Sequence, residues 1–220
     1  MPHLLRAARA DALDPVDRAS EVIFGLLMAM TFVGTLDVAE GGREELGTLL
    51  RAALGCNLAW GVADAVMYLV GVATQARRDR ALLQRLHAGV DAATGRQIAA
   101  EGLLPALAAT LDDDDLERLR LRLLQAPRPA GTPRLRFEDY RAAVGVFLLV
   151  VFATFPVVLP YLFLDDVVRA LRLSQAIGLA TLFIAGAALA RYSGGSMWRL
   201  GLLMSALGAV LLFVLVLLGG

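Results

Sequence analysis

LGLLMSALGAVLLFVLVLLGG, residues 200–220, runs 21 positions without a charge. A helix needs about 20 mostly apolar residues to cross roughly 30 Å of hydrocarbon, so this stretch alone reads as a bilayer-spanning helix. Two further uncharged runs precede it, residues 142–164 and 173–190. Two others are apolar but interrupted: residues 22–39 carry Asp37 near the end, and residues 52–75 carry Asp64 near the middle. The short alternating segments of a membrane β-barrel do not occur. The pattern predicts an all-α polytopic membrane protein with five transmembrane helices and a small helical cytoplasmic insert. Its expected divisions are an N-terminal segment (1–20), helices 1–2 (21–75), the insert (76–140) and helices 3–5 (141–220).

Composition agrees with a chain that meets two solvents. Hydrophobic residues make up 58% and charged residues 19%, with a mean hydropathy of +0.64. Soluble domains carry about a quarter charged residues. The charges gather in the middle of the chain, leaving the flanking runs to lipid. Net charge is zero, which gives no reason to expect a nucleic-acid partner, and all 21 basic residues are Arg. Cys56 is the single cysteine, so an intrachain disulfide and a Cys-cluster zinc site are excluded. His3 and His87 both lie outside the expected spans. With no glycine-rich phosphate loop and no HExxH pattern, an enzyme is not expected. Residues 1–20 mix Arg and Asp and lead into an apolar run without a small-residue cleavage site, so they are expected to be retained.

Arginine placement predicts orientation. Arg77, Arg78 and Arg80 directly follow the second apolar run, where the positive-inside rule weighs most. The insert is therefore expected in the cytoplasm, with the N-terminus inside and the C-terminus outside. Within the insert, Ala81, Leu82, Leu83 and Leu86 form a short amphipathic stripe. Ile98, Leu103, Leu104, Leu107 and Leu111 form a second, and Leu116 to Leu124 a third. Asp112 to Asp115 would cap the last helix and oppose its dipole, as a solvated acidic face. Pro127, Pro129, Gly131 and Pro133 read as a stiff linker.

An ionisable side chain at bilayer depth costs about 2.5–3.5 kcal/mol on insertion scales, so it needs a partner or a role. Asp64 lies seven residues after Asn57, with Met67 and Tyr68 three and four residues further on. Those spacings are expected to bring all four to one helical face. Carboxylate, amide and thioether suit a divalent transition metal; equally, Asp64 fixes packing by bonding another helix. Glu21 and Asp37 mark the two ends of the first run, with Met28 between them. They read either as acidic mouths of a path with a thioether inside, or as interfacial residues around a core-filling Met. Pro156 and Pro160 predict a kink that either lines a cavity or is architectural.

Several stretches carry a family resemblance. They are Asp17 with Glu21-Val22-Ile23-Phe24-Gly25-Leu26; Tyr68-Leu69-Val70-Gly71-Val72-Ala73-Thr74-Gln75-Ala76-Arg77-Arg78-Asp79; Phe155-Pro156-Val157-Val158-Leu159-Pro160-Tyr161; and the closing Leu217-Leu218-Gly219-Gly220. With the five-span layout, these resemble the vacuolar iron transporter family, in a divergent bacterial-type form. The resemblance implies a homodimer in a bacterial plasma membrane. It would export ferrous or manganous ions from the cytosol in exchange for protons, with the metal as cargo and no permanent cofactor. It also implies that Asp17, Glu21, Met28, Asp37, Asp64 and Met67 handle metal, with Asn57, Tyr68, Pro156 and Pro160 along the path. Tyr68 stands where the family's second helix carries a glutamate, and the insert keeps Glu101 and Glu117 without the family's dense glutamate spacing. The alternative expectation is a non-transporting membrane scaffold whose Arg-rich insert docks a partner or anionic lipid.

Overall fold

A computed structural model describes residues 15–34, 43–128, 131–132 and 134–217. Among these the chain is helical throughout, with no strand. The helices are α1 (Pro15–Gly34), α2 (Arg43–Leu86), α3 (Ala92–Glu101), α4 (Pro105–Ala108), α5 (Asp113–Leu124), α6 (Phe137–Ala153), α7 (Phe155–Phe163), α8 (Val167–Ser193) and α9 (Met197–Leu217). Their described residues form two compact units, one drawn from residues 15–34, 43–68 and 141–217, the other from residues 69–128, 131–132 and 134–140.

Three helical stretches are long and apolar enough to cross a membrane: Leu46–Leu86, Val167–Ser193 and Met197–Leu217. The pair α6–α7 passes the same test together, although its axis bends by 42°. These helices mark a membrane protein. The expected crossings are altered in two places. In α1 the described apolar stretch is Ala19–Phe32, about 21 Å long at 1.5 Å per residue and short of the hydrocarbon thickness. Asp37 lies outside the described residues. The run 142–164, expected as one kinked span, is two helices. Pro156 has no N–H to return to Phe152, so the ladder fails just upstream and α6 ends at Ala153. The buried Thr154 turns its hydroxyl back to Val151 O at 2.5 Å. Pro156 then sits comfortably in the first turn of α7, with Pro160 inside that helix.

The first unit is organised around α8, which packs on α9, α1 and α7. Asp166 starts α8 by accepting from Val168 N and Arg169 N. Gly194 ends it in the left-handed conformation, φ 73°, which a side chain would resist. Between these caps, small residues recur where neighbours come close. A Cβ on Gly178 would lie 2.6 Å from Met30 Sδ, and one on Gly186 would lie 2.7 Å from Leu200 O. A Cβ on Gly201 would strike the Phe183 ring at 2.8 Å. Near the bend, Ser174 Oγ donates to Val157 O at 2.7 Å, bracing α7. In lipid, where no hydrophobic force separates helix from solvent, such close approach and such hydrogen bonds are what hold helices together.

In the second unit the Ala81–Leu86 stripe is no separate helix, because no Gly or Pro stands between Gln75 and Leu86 to end α2 there. The second expected stripe breaks after Glu101, where Gly102 closes α3 and Pro105 starts the one-turn α4. Asp112 caps α5 by accepting from Asp115 N at 2.8 Å. Arg85 holds Glu101 with two bonds of 2.6 and 3.2 Å. Glu117 receives Arg120 at 2.6 Å and Arg96 at 3.7 Å. Arg120 crosses over Gly95, where a Cβ would meet its Cδ at 2.6 Å, so α3 and α5 approach at a glycine. His87 adds a clasp: its Nδ1 lies 2.8 Å from Leu83 O and its Nε2 3.2 Å from Ala126 O. Arg128 Nη2 donates to His87 O at 2.7 Å.

Two outcomes follow. Gly186→Ala places a methyl against backbone, which has nowhere to retreat, and should cost about 1–3 kcal/mol of overpacking. Gly145→Ala meets nothing within 4 Å and should be neutral or slightly stabilising; thermal unfolding in detergent separates them. In the second unit, hydrogen bonds from Arg85 and from Arg120 hold the Glu101 and Glu117 carboxyls below the usual carboxylate range. A depressed folded-state value contributes stability above the unfolded value of about 4.3 and loses it as pH falls through the folded one. Amide exchange at Ile98 and Ala99 in the intact protein should stay slow at pH 5 and quicken below about pH 4. The acid-induced step should shrink in Glu117→Gln.

Candidate functional site

On α2, Asn57, Gly61 and Asp64 stand at i, i+4 and i+7; on α1, Glu21, Gly25 and Met28 repeat that spacing. At 100° per residue each trio falls within about 60° of one helical face. Both faces are polar–glycine–ligand stripes on otherwise apolar helices, and the glycines let backbones approach. A Cβ on Gly25 would lie 3.3 Å from Val150 O, and one on Gly61 would lie 3.1 Å from the Phe147 ring and 3.2 Å from its carbonyl. Helices α1 and α2 therefore each press a glycine onto α6.

Two contacts join α1 to α2. Asn57, only 1% exposed, donates from Nδ2 to Gly25 O at 3.2 Å. The Cys56 thiol donates to Met28 Sδ at 3.3 Å. As the contacts advance from Gly25 to Met28 they step back from Asn57 to Cys56, so the helices run antiparallel. That register sets Glu21 level with about residues 61–63 of α2, within about one turn of Asp64. The electrostatic character of the seam is one-sided. Asn57 Oδ1 and Asp64 Oδ2 are both buried and have no hydrogen-bond partner among the described residues. Two acceptors without donors, two turns apart on one face, are each complementary to a donor or a cation and not to an anion.

The other expected site residues sort as follows. Glu21 is half-buried on the α1 stripe. Asp17 lies in α1, and Asp37 lies outside the described residues. Tyr68 is half-buried, one turn beyond Asp64. Met67 departs from the expected face: it is 65% exposed. At ten residues past Asn57 it has turned about 80° away, so a spacing of three from Asp64 is not enough to share the buried surface. Pro156 and Pro160 shape the α6–α7 bend, and α7 packs on α8 and α1. The sequence reading missed Cys56 as a partner of Met28, and Gly25, Gly61 and Phe147 as the close approach. The signal was present in the matched i, i+4, i+7 stripes.

Among the described residues no three His, Cys, Asp or Glu side chains gather closely enough to hold a metal ion. No protein-family model, no curated protein and no solved structure matches the chain.

A buried polar atom left unpaired costs about 1–3 kcal/mol. Asp64→Leu removes one such atom and should raise unfolding stability in detergent by about that amount, whereas a side chain engaged in packing would lose stability on the same change. Thermal or steric-trap unfolding of the two proteins reads the sign.

Proposed function

We propose that the chain is a transporter of divalent transition-metal ions, iron or manganese, exporting them from the cytosol in exchange for protons. The observation that carries the reading is the acceptor-only seam of α2, Asn57 Oδ1 and Asp64 Oδ2, buried without donors in a helix apolar enough to cross the bilayer. Intramembrane ionisable groups without a packing partner mark ion paths more often than scaffolding. A carboxylate oxygen and an amide oxygen are hard donors of the kind divalent iron and manganese accept.

In this reading the protein has five crossings: the apolar run 22–39 that begins in α1, the apolar part of α2, the bent α6–α7 pair, α8 and α9. The N-terminus and the Arg-rich unit are cytoplasmic and the C-terminus is outside. Asp17 and Glu21 serve the entry, Asp64 and Met28 the passage, and Asp37 the exit; Met67 is left to the helix surface. A homodimer of vacuolar iron transporter type is part of the same proposal, by resemblance alone. The scaffold alternative draws less support. Arg85, Arg96, Arg118 and Arg120 are already paired with Glu101, Glu117, Asp113 and Asp115 within their own unit, which leaves fewer charges to dock a partner.

Uptake of ferrous and manganous ions into proteoliposomes, under an imposed proton gradient, tests the proposal. Native protein should raise flux at least tenfold over empty vesicles, and Asp64→Ala should return it close to background. Equal flux in the two proteins, or none in either, would sink it.

A further inference from the structure

Residues 167–220 contain four arginines, Arg169, Arg172, Arg191 and Arg199, and no Asp or Glu. The first two sit at the start of α8 beside Asp165 and Asp166, and Arg169 Nε lies 3.2 Å from Asp166. That end of α8 is locally neutral. The opposite end is not. Arg191, in the last turn of α8, and Arg199, in the first turn of α9, are both exposed and form no ion pair among the described residues. They flank a tight turn fixed by the left-handed Gly194 and by Gly195 N donating to Ala190 O at 2.9 Å. Close packing of Gly186 on Leu200 O and of Gly201 on Phe183 anchors the two helix ends beside it.

Helix α8 has 27 residues, about 40 Å at 1.5 Å per residue. When α8 and α9 cross the bilayer, their shared turn emerges at headgroup depth. The side chains there are those of an interface. Tyr192 is 65% and Trp198 71% exposed, and the Trp198 ring is held against Phe183 with centroids 5.4 Å apart. Amphipathic aromatics of this kind settle at headgroup level. Two guanidiniums at that depth need counter-ions, and no described acidic side chain pairs with either. We infer that the α8–α9 turn is a binding site for anionic phospholipid headgroups, whose phosphates neutralise Arg191 and Arg199. Guanidinium suits this occupant, being weakly hydrated and matched to phosphate oxygens. The turn thereby also acts as the anchor that keeps this end of α8 in the anionic leaflet. The inference is independent of transport.

Trp198 reports on the site directly. In full-length protein carrying Trp60→Phe it is the remaining tryptophan, since the chain has two. The protein is reconstituted into phosphatidylcholine vesicles with one quarter phosphatidylglycerol, bromine being placed on one lipid or the other, and Trp198 quenching is compared. Each arginine near an anionic surface is worth about a fivefold preference, so brominated phosphatidylglycerol should be enriched around Trp198 by up to roughly 25-fold. Arg191→Gln with Arg199→Gln should bring the ratio to about one, whereas Arg169→Gln with Arg172→Gln should leave it unchanged. Raising salt toward 1 M, where the Debye length is about 3 Å, should erode the native excess. Should the double variant fail to reconstitute, each single variant should still lower the ratio about fivefold. Equal quenching by the two lipids in the native protein, or an undiminished excess without the arginines, overturns the inference.

Discussion

Helix α8 meets the backbone of α9 at Gly186 and the Met30 side chain of α1 at Gly178, and the arrangement of the first unit follows from that closeness. Lipid tails are as apolar as leucine, so burying more leucine would gain little between helices. What remains is dispersion, which needs contact along a length, and hydrogen bonds that no water competes for. Glycines at α8 and α9 supply the contact. Ser174 on Val157 O and Ser205 on Leu179 O at 2.9 Å supply the bonds. Met30, buried at 2% exposure, fills the space over Gly178 and ties α1 to the same helix. Its unbranched chain lets it fit a groove that a β-branched residue would not enter.

The same physics, applied on α2, gives a different result. Gly61 and Gly25 also bring backbones together, onto Phe147 and Val150 of α6. Yet the residues flanking Gly61 are Asn57 and Asp64, each with a buried oxygen that nothing described satisfies. Helix packing accounts for the glycines and for the Asn57 amide donated to Gly25 O. It does not account for the two oxygens, which make the α1–α2–α6 contact less stable than an apolar seam of the same shape. A cost of that kind is ordinarily retained where a function needs it.

The helices themselves were legible because uncharged length is the signal and lipid is the reason for it. Less local features were not. The end of α2 lies at Leu86 rather than near Gln75, because polar residues such as Arg77 and Asp79 end a hydrophobic run without ending a helix. The break at Thr154 needed the missing N–H of Pro156 to be traced four residues back, whereas the sequence marks only the proline. On the candidate site, Asn57 and Asp64 were legible as one face from their spacing of seven. Met67, 65% exposed, stands about 80° round the helix from Asn57, because the 300° of three residues adds to the offset of Asp64. Which polar atoms lack partners has no sequence signature at all, since it depends on what α1 and α6 bring opposite them.

The chemistry of the seam restricts what can occupy it. An unprotonated carboxylate and an amide oxygen only accept, so a bound anion would meet two repulsive dipoles at a depth where little water screens them. A proton or a small cation at either oxygen separately would answer that polarity. The two occupants are mutually exclusive at one carboxylate, because a proton on Asp64 converts an acceptor into a donor and cancels the charge that would draw a metal. In the proposed transport cycle, competition between a proton and a metal ion for the Asp64 carboxylate is one way to link the two movements.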